Sequence, residues 1–188
     1  MFNFVQVNCD NLEEPDVVTE NGKRFYKFPS VAQKYPSVTT VTGIRSRQSI
    51  AEWRRKVGAE YANKVTTRAS SRGSAFHAII EEHIRGSLDE QKYKKDPLAL
   101  NMFQMARKTL ARVDNIHALE TPLYSHVFAL AGRVDCIAEF DSELAVIDFK
   151  TSTKEKKEEY IENYFVQEAA YAAMFYERTG IKVKKIVT

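Results

Sequence analysis

The hydrophobic pattern of the chain changes near residue 120, and this change constrains the fold more than any other feature. Upstream, apolar residues recur every three or four positions, as one helix face requires; an example is the series Ile50, Trp53, Val57, Tyr61 and Val65. Downstream, short apolar runs alternate with polar turns, as in strands. Helices followed by strands within 188 residues predict one α/β domain with a central mixed β-sheet flanked by helices.

Three helices are predicted before this change. The first begins after Ser49, which can cap it together with Glu52. The second begins after the cluster at residues 70–74 and ends at Gly86, and the third opens with Pro97 at its first position. The buried stripe predicted for the third helix consists of Leu98, Met102, Met105, Val113 and Ile116.

The N-terminal region is predicted to be extended. Asn21-Gly22 is a strong two-residue turn signal, so the segment from Val17 to Phe28 is expected to form a β-hairpin. The proline and the β-branched residues of the segment from Tyr35 to Val41 predict a second extended stretch.

Strands and one further helix are predicted after residue 120. A polar turn at residues 141–143 joins two of the strands, and Gly180 ends the helix. Because the sequence stops inside the last predicted strand, we expect the chain to be a fragment. The predicted elements are strands at 123–130, 132–140 and 144–150, a charged loop at 153–159, a helix at 164–178 and a strand from 181.

Composition narrows the setting of the protein. Cys9 and Cys136 are far apart and lie outside any Cys-x-x-Cys pair, which argues against a zinc knuckle or an iron–sulfur cluster. Neither a signal peptide nor a run of about 18 apolar residues is apparent. We therefore expect an intracellular, cytoplasmic protein without a membrane partner, with the mitochondrial matrix still open. The net charge of +3 is compatible with nucleic acid but does not require it.

Asp148-Phe149-Lys150 ends the apolar run that begins at Leu144. Side chains two residues apart on a strand share a face, so Asp148 and Lys150 are expected to project together. Antiparallel pairing across the short turn places Asp148 opposite Asp135 or Cys136. Two carboxylates and one lysine therefore converge. The alternative explanation is a salt bridge between Asp148 and Lys150 on an edge strand.

Two neighbouring carboxylates repel each other unless a cation lies between them, and Mg²⁺ or Mn²⁺ prefers oxygen ligands and water. Such an ion would polarise a phosphodiester and help to generate hydroxide. Lys150 would hold the attacking water or neutralise the charge that develops on the phosphate. The pattern therefore predicts metal-dependent hydrolysis of a phosphodiester.

Further motifs stand in order around the two aspartates. They are Gly73-Ser74-Ala75-Phe76-His77, Gly132-Arg133-Val134-Asp135, Asp148-Phe149-Lys150 and Gln167-Glu168-Ala169-Ala170-Tyr171. This series resembles the RecB-like branch of the PD-(D/E)XK nuclease superfamily, although Val134 replaces the proline of the superfamily name. The segment from Tyr35 to Val41, with the arginine-rich stretch after it, is similar to the mitochondrial genome maintenance exonuclease group and its phage-encoded relatives.

The resemblance implies roles for the motif residues. His77, Asp135 and Asp148 would bind the metal together with the backbone carbonyl of Phe149, and Lys150 would be the catalytic lysine. Gln167 and Tyr171, one helical turn apart, would face the site as catalytic residues that position the lysine or the substrate phosphate.

Some of these residues have simpler explanations. On its own His77 is a hydrogen-bonded core histidine, and Gln167 and Tyr171 are the polar fringe of a buried helix. Glu81, four residues after His77, is interpreted as a partner of the ligands or a surface charge rather than as a ligand itself.

Basic residues are concentrated between Arg45 and Arg72. We interpret them as a surface that tracks a DNA backbone; the alternative is a solvated helix face. Arg45 and Arg72 are the strongest candidates because they are predicted to lie in turns beside Gly43 and Gly73, where backbone amides can approach a phosphate. The predicted DNA-binding residues are Arg45, Arg54, Arg68, Arg72 and Ser74.

The expected function is a DNA exonuclease that uses Mg²⁺ or Mn²⁺ and acts on single-stranded DNA or free DNA ends in replication, recombination or repair. A structure- or sequence-specific endonuclease on the same core is the main alternative. A DNA-binding module with a decayed site and a coincidental match are the others. Within one domain, we expect an N-terminal hairpin and extended segment (1–45), a helical DNA-binding part (46–118) and a catalytic sheet and helix (119–188).

Overall fold

A mixed sheet of four strands lies at the centre of the protein, for which the computed structural model describes residues 2–7, 13–153, 156 and 161–188. The strands lie in the order β4-β5-β6-β7; β4, β5 and β6 are antiparallel, and β7 is parallel to β6. They are β4 (Val113–Ser125), β5 (Leu130–Phe140), β6 (Glu143–Ile147) and β7 (Lys185–Val187). The predicted central mixed sheet is confirmed.

A smaller antiparallel sheet precedes it, formed by β1 (Asp16–Glu20), β2 (Lys23–Lys27) and β3 (Tyr35–Pro36). Asn21 and Gly22 have φ values of 50° and 71°, as the tight turn between β1 and β2 requires. The predicted hairpin is therefore confirmed. Buried aromatic residues of this small sheet pack against Tyr124 and Ala131 of the long β4–β5 hairpin.

The extended segment predicted from Tyr35 to Val41 is wrong beyond Ser37. A short helix, α1 (Val38–Thr42), follows instead. The side chain of Ser37 caps it, because Ser37 Oγ accepts a hydrogen bond from the Thr40 amide at 3.0 Å. This local cap outweighs the preference of the β-branched residues for a strand.

Neither of the two helices in the arginine-rich stretch begins where the sequence predicted. The first, α2 (Arg47–Val57), starts before Ser49, whose hydroxyl donates to the carbonyl of Ser46 at 3.0 Å. The second, α3 (Ala59–Ile84), begins directly after Gly58 and runs without interruption through residues 70–74. One glycine costs a helix only about 1 kcal/mol, which is less than the packing of its buried C-terminal half contributes.

The apolar stripe predicted from Ile50 to Val65 does not reach the core. Helix α2 has no buried residue, and Trp53 is half-buried. Ile50, Tyr61 and Val65 are exposed. Trp53 is therefore not a core residue, and α2 with the first turns of α3 forms a surface hairpin.

Helix α4 (Pro97–Leu110) begins at Pro97 as predicted but presents a different face to the core. Ala99, Phe103 and Leu110 are buried, whereas Leu98 and Met105 are exposed. Both sets have helical spacing, so periodicity alone did not separate them. The extended region begins at Val113 rather than after residue 120, and Val113 and Ile116 are buried from strand β4 instead.

Helix α5 (Glu162–Thr179) ends at Gly180, whose φ of 71° is left-handed, as predicted. Helices α3 and α4 pack on one side of the large sheet, and α1 and α5 pack with a second cluster of its buried residues. The predicted arrangement of a sheet flanked by helices is confirmed. Among the described residues, no helix has the length and apolar character needed to span a membrane. Cys9 and most of the predicted loop at 153–159 lie outside the described residues.

Candidate metal-dependent active site

The two motif aspartates lie next to each other where β6 ends. The register pairs Cys136 with Ile147, so the next position brings Asp135 beside Asp148. The backbone amide of Asp148 donates to the carbonyl of Val187 on β7 at 2.9 Å, which fixes the end of the strand. Both side chains are buried, at 8% and 3% exposure. The predicted convergence of the two carboxylates is confirmed.

Asp148 is held by two side chains from opposite directions. Lys150 Nζ contacts one carboxylate oxygen, and Gln167 Nε2 of α5 donates to the other at 3.0 Å. The ammonium group of Lys150 also lies over the ring of Tyr164, 5.1 Å from its centroid. Lys150 and Gln167 are therefore brought to the aspartate as the motif order predicted, while their catalytic roles stay predictions.

His77 reaches the same place from α3. Its Nε2 lies 2.7 Å from the carbonyl oxygen of Phe149, which accepts a hydrogen bond when Nε2 is protonated. Its Nδ1 then faces the carboxylate of Asp135 at 3.6 Å. Asp135 in turn accepts a hydrogen bond from the Phe149 amide at 2.7 Å. A histidine that donates one N–H to a backbone carbonyl presents its other nitrogen as a metal ligand.

One further candidate ligand, Glu120, was missed in the sequence. Its Oε1 lies 3.6 Å from Nδ1 of His77, and ligand atoms of Glu120, His77 and Asp135 all lie within 4.8 Å of one another. Glu120 stands between the pairs Leu119↔Cys136 and Thr121↔Val134, opposite Asp135, and its φ is 48°. Had strand β4 been predicted to run from Val113 to Ser125, this register would have pointed to Glu120.

Burial and neighbouring charges shift the pKa values of Asp135 and His77. Burial raises the pKa of Asp135 to about 7, against the opposing effect of His77 and with the support of Asp148. Burial opposes the charged form of His77, but Glu120, Asp135 and the Phe149 carbonyl outweigh it and raise its pKa. A buried acidic site that retains protons near neutral pH is one that a divalent cation can occupy by displacing them.

The donor set fits a hard divalent cation. Carboxylate oxygens of Glu120 and Asp135 and one imidazole nitrogen of His77 converge, and Asp148, which Lys150 contacts, lies beside Asp135. Mg²⁺ and Mn²⁺ both prefer oxygen-rich sites, and the imidazole favours Mn²⁺.

Comparison with known proteins agrees with this geometry. The family model of the PD-(D/E)XK nuclease superfamily matches residues 98–185, which include both aspartates, Lys150, Gln167 and Tyr171. This part of the chain is therefore similar to the core of PD-(D/E)XK nucleases. The resemblance inferred from the motifs is thereby confirmed.

Several curated proteins are similar to the chain at modest identity. Mitochondrial genome maintenance exonuclease 1 from Homo sapiens is 26% identical over 83% of this chain and 46% of its own length. The Xenopus tropicalis protein of the same name is 29% identical over 62% of this chain and 33% of its own length. An ATP-dependent helicase/nuclease protein from Clostridium botulinum is 38% identical over 30% of this chain and 4% of its own length. The chain thus spans less than half the length of these relatives.

Helix α5 lies within the matched region and brings two further motif residues to the site. Gln167 and Tyr171 are both buried; Gln167 contacts Asp148, and the ring of Tyr171 packs over Gly132. A Cβ atom at Gly132 would lie 2.7 Å from the Tyr171 hydroxyl oxygen, so the glycine of the Gly-x-x-Asp motif is needed for this packing. Burial raises the pKa of Tyr171, followed by the effect of Asp135, and keeps it a neutral phenol.

Glu168 is a buried carboxyl group for which the motif suggested no role. It is fully buried, accepts a hydrogen bond from the Thr188 hydroxyl, and has a second oxygen with no hydrogen-bond partner among the described residues. Burial raises its pKa to about 7, and Asp148 contributes in the same direction. Glu168 is therefore a buried carboxyl group close enough to Asp148 for the two charges to interact.

Glu81 is not brought to the predicted ligands. It lies one turn beyond His77 on α3, where its Oε1 accepts a hydrogen bond from Arg85 Nε at 3.0 Å. This pair is half-exposed. The geometry favours the surface-charge interpretation of Glu81.

The predicted DNA-binding residues lie in different environments. Arg45 lies in the turn after α1, as predicted, and pairs with Glu162 at 3.0 Å. Arg54 donates to Asn63 at 2.6 Å, and Arg68 and Ser74 lie on α3, where both are exposed.

Arg72 does not lie in a turn, contrary to the prediction. It is a half-buried residue of the continuous helix α3, and its Nε is buried without a hydrogen-bond partner among the described residues. The backbone amides around Gly73 are therefore part of a helix and not of a phosphate-binding turn. Gly73 instead lies beside the segment that follows Lys150, since a Cβ there would be 3.9 Å from Thr151 Oγ1.

Proposed function

We propose that the protein is a metal-dependent deoxyribonuclease that hydrolyses phosphodiester bonds at DNA ends, with a preference for single strands. The observation that carries the proposal is the buried pair Asp135 and Asp148 with Lys150 in contact, assembled in a PD-(D/E)XK core. The names of the vertebrate relatives, which describe exonucleases, support action at DNA ends.

Each side chain has a role in this proposal. Asp135, Asp148, His77, Glu120 and the backbone carbonyl of Phe149 would hold the metal. A bound Mg²⁺ or Mn²⁺ supplies polarisation of the phosphate and a bound water of lowered pKa.

The remaining groups act on the substrate and on the ligands. The ammonium group of Lys150 orients the attacking water or neutralises the charge that develops on the phosphate oxygens. Gln167 donates to Asp148 and fixes its carboxylate, which leaves the other oxygen to Lys150. Tyr171 positions α5 through its packing on Gly132.

Labelled single-stranded DNA with Mn²⁺ or Mg²⁺ tests this function directly. We expect degradation that EDTA abolishes, on linear strands and not on single-stranded circles. Blocking the 5′ or the 3′ end in turn reports the polarity. Cleavage of circles would show that the protein is an endonuclease and not an exonuclease. Binding without cleavage under all metal conditions would contradict the proposal that it is an enzyme.

The setting and the parts of the chain are also proposals. We propose an intracellular location where DNA and divalent cations are available, such as a cytoplasm or the mitochondrial matrix that the human relative's name suggests. Within the chain, residues 119–188 would supply the catalytic sheet and helix, and residues 46–118 would supply most of the DNA contacts.

A further inference from the structure

A concave site of about 330 Å³ lies between the β1–β2 hairpin and the segment that joins α1 to α2. Arg24 of β2 and Arg47 of α2 line it together with Thr39 and Thr40 of α1. No carboxylate lines the site among the described residues, and the remaining residues around it are small or polar. We call this site the hairpin pocket.

The two arginines of the hairpin pocket are uncompensated. Both are exposed, and within the described residues neither forms an ion pair or a side-chain hydrogen bond. Arg45, only two residues from Arg47, is by contrast paired with Glu162. Two guanidinium groups that face one concavity repel each other, so an anion between them is stabilising.

The floor of the hairpin pocket is rigid. The carbonyl of Arg24 accepts a hydrogen bond from the Ser37 amide at 2.8 Å, and the Arg24 amide donates to the hydroxyl of Thr40 at 3.1 Å. Thr40 also accepts from the hydroxyl of Ser37 at 2.8 Å. These bonds join β2 to α1 and hold the exposed residue Thr39 at the rim. The oxygens of a phosphate group can accept paired hydrogen bonds from an arginine guanidinium group and a further bond from a hydroxyl group.

Two residues next to the hairpin pocket, Ser37 and Val38, connect it to the metal site. Ser37 forms a β-bridge with Ala131, the residue before Gly132 on which Tyr171 packs. Val38 of α1 lies in one hydrophobic cluster with Tyr171. The pocket and the catalytic side chains are therefore built on one packed unit, as two contacts to a single DNA strand require.

We propose that the hairpin pocket binds a phosphate group of the DNA strand away from the scissile bond, through Arg24 and Arg47. This inference rests on the proposed nuclease function for its ligand. The pocket then fixes the position of the strand relative to the metal, and it contributes to affinity for DNA without taking part in the bond cleavage.

Binding is measured in EDTA, so that no cleavage occurs, by the fluorescence anisotropy of a labelled single-stranded 20-mer over a series of salt concentrations. For the double variant Arg24→Gln/Arg47→Gln we expect an affinity lower by about tenfold to a hundredfold, the loss of one charge-assisted phosphate contact. The slope of log affinity against log salt falls by about 0.7. Lys27→Gln is the matched control, since Lys27 is exposed at the other end of β2 and does not line the pocket.

The proposal is overturned if the double variant keeps the wild-type DNA affinity and salt slope, or if Lys27→Gln loses as much DNA affinity as the double variant. Thermal unfolding checks that the double variant is folded, and single Arg24→Lys and Arg47→Lys variants, which keep the charge, are expected to retain more affinity than the glutamine variants. Oligonucleotides with 5′-phosphate or 5′-hydroxyl ends identify the ligand: an equal loss on both indicates an internal phosphodiester, and a loss confined to the first indicates the terminal phosphate.

Hydrolysis of bis(4-nitrophenyl) phosphate separates this inference from the proposed function. This diester is too small to reach both sites, so the double variant keeps the wild-type rate while it loses activity on the 20-mer at low DNA concentration. If the wild type hydrolyses neither substrate but the double variant still loses DNA affinity, the nuclease proposal fails and the hairpin pocket stands. If the wild type cleaves DNA and the variant matches it in affinity and rate, the reverse holds.

Discussion

The end of β6 and the α2–α3 surface hairpin hold the two groups of charged residues that matter most to the proposed function, and they are built in opposite ways. At the end of β6 the carboxylates are buried and each has defined partners. On α2 and the first half of α3 the basic residues are mostly exposed, and α2 has no buried residue. A site that must hold a metal requires fixed ligands, whereas a surface that follows a flexible strand requires charge more than geometry.

Lys150→Ala is expected to have the largest effect of any substitution considered, because its ammonium group acts where charge develops in the reaction. We expect the turnover on single-stranded DNA to fall by about a thousandfold, with little change in DNA affinity measured in EDTA. Lys156→Ala is the matched control, because Lys156 lies over the same Tyr164 ring, 4.8 Å from its centroid. A Lys150→Ala enzyme that keeps a tenth of the wild-type turnover would show that the buried site is not the catalytic one.

Glu120→Gln tests whether the buried site includes the residue that the motifs did not reveal. The substitution preserves size but replaces a carboxylate by a neutral amide, so we expect Mn²⁺ to bind about tenfold to a hundredfold more weakly, as for loss of a group that supports metal ligands. Calorimetric titration of the metal measures this. Glu81→Gln is the control and should leave the Mn²⁺ affinity unchanged, since Glu81 is paired with Arg85. Equal affinities of Glu120→Gln and wild type would remove Glu120 from the site.

The contrast between the two regions also explains what could be predicted from the sequence. Asp135, Asp148 and Lys150 were found because strand periodicity and a short turn determine which side chains face each other across a hairpin. Glu120 was missed because both ends of β4 were predicted too late in the chain, at Leu123 and Leu130 instead of Val113 and Ser125. The predicted strand did not contain Glu120, and the shifted turn concealed its position opposite Asp135.

The helical half was predicted less well, and for a physical reason. Helix α4, for example, carries apolar residues on two faces, so the exposed residues Leu98 and Met105 have the same helical spacing as the residues that are buried. Glycine and serine at 70–74 resembled a helix boundary, but packing of the flanking residues keeps α3 continuous. Tertiary contacts decide such cases, and the sequence pattern does not contain them.

Glu168→Gln tests the protonation of the buried carboxyl group near Asp148 through the pH dependence of stability. The folded-state pKa of Glu168 is raised from 4.5 to about 7, mainly by burial. The folded protein therefore retains a proton that the unfolded chain releases above about pH 4.5. The free energy of unfolding then falls as the pH rises towards about 7 and levels off above it.

Because glutamine cannot ionise, the variant is expected to lack the part of this loss that Glu168 contributes, while Asp135, whose pKa is also raised to about 7, contributes to both proteins alike. We expect it to be more stable than wild type by about 1–3 kcal/mol at pH 8, and to show a smaller difference or none at pH 4.5. Thermal unfolding in EDTA at both pH values measures the change. A difference that is the same at the two pH values would mean that Glu168 does not carry the proton.

The smallest expected effects belong to the surface hairpin, where Arg68 and Arg45 differ in their partners. Arg68 is exposed and has no ion pair among the described residues, so Arg68→Ala should weaken binding to all single-stranded sequences alike. The salt slope should flatten by less than about one unit. Arg45→Ala should change the slope less, because Glu162 already neutralises part of its charge. Anisotropy titrations of both variants over a salt series decide the order. If Arg45→Ala has the larger effect, DNA displaces Glu162, and the ion pair marks a binding residue instead of a neutralised one.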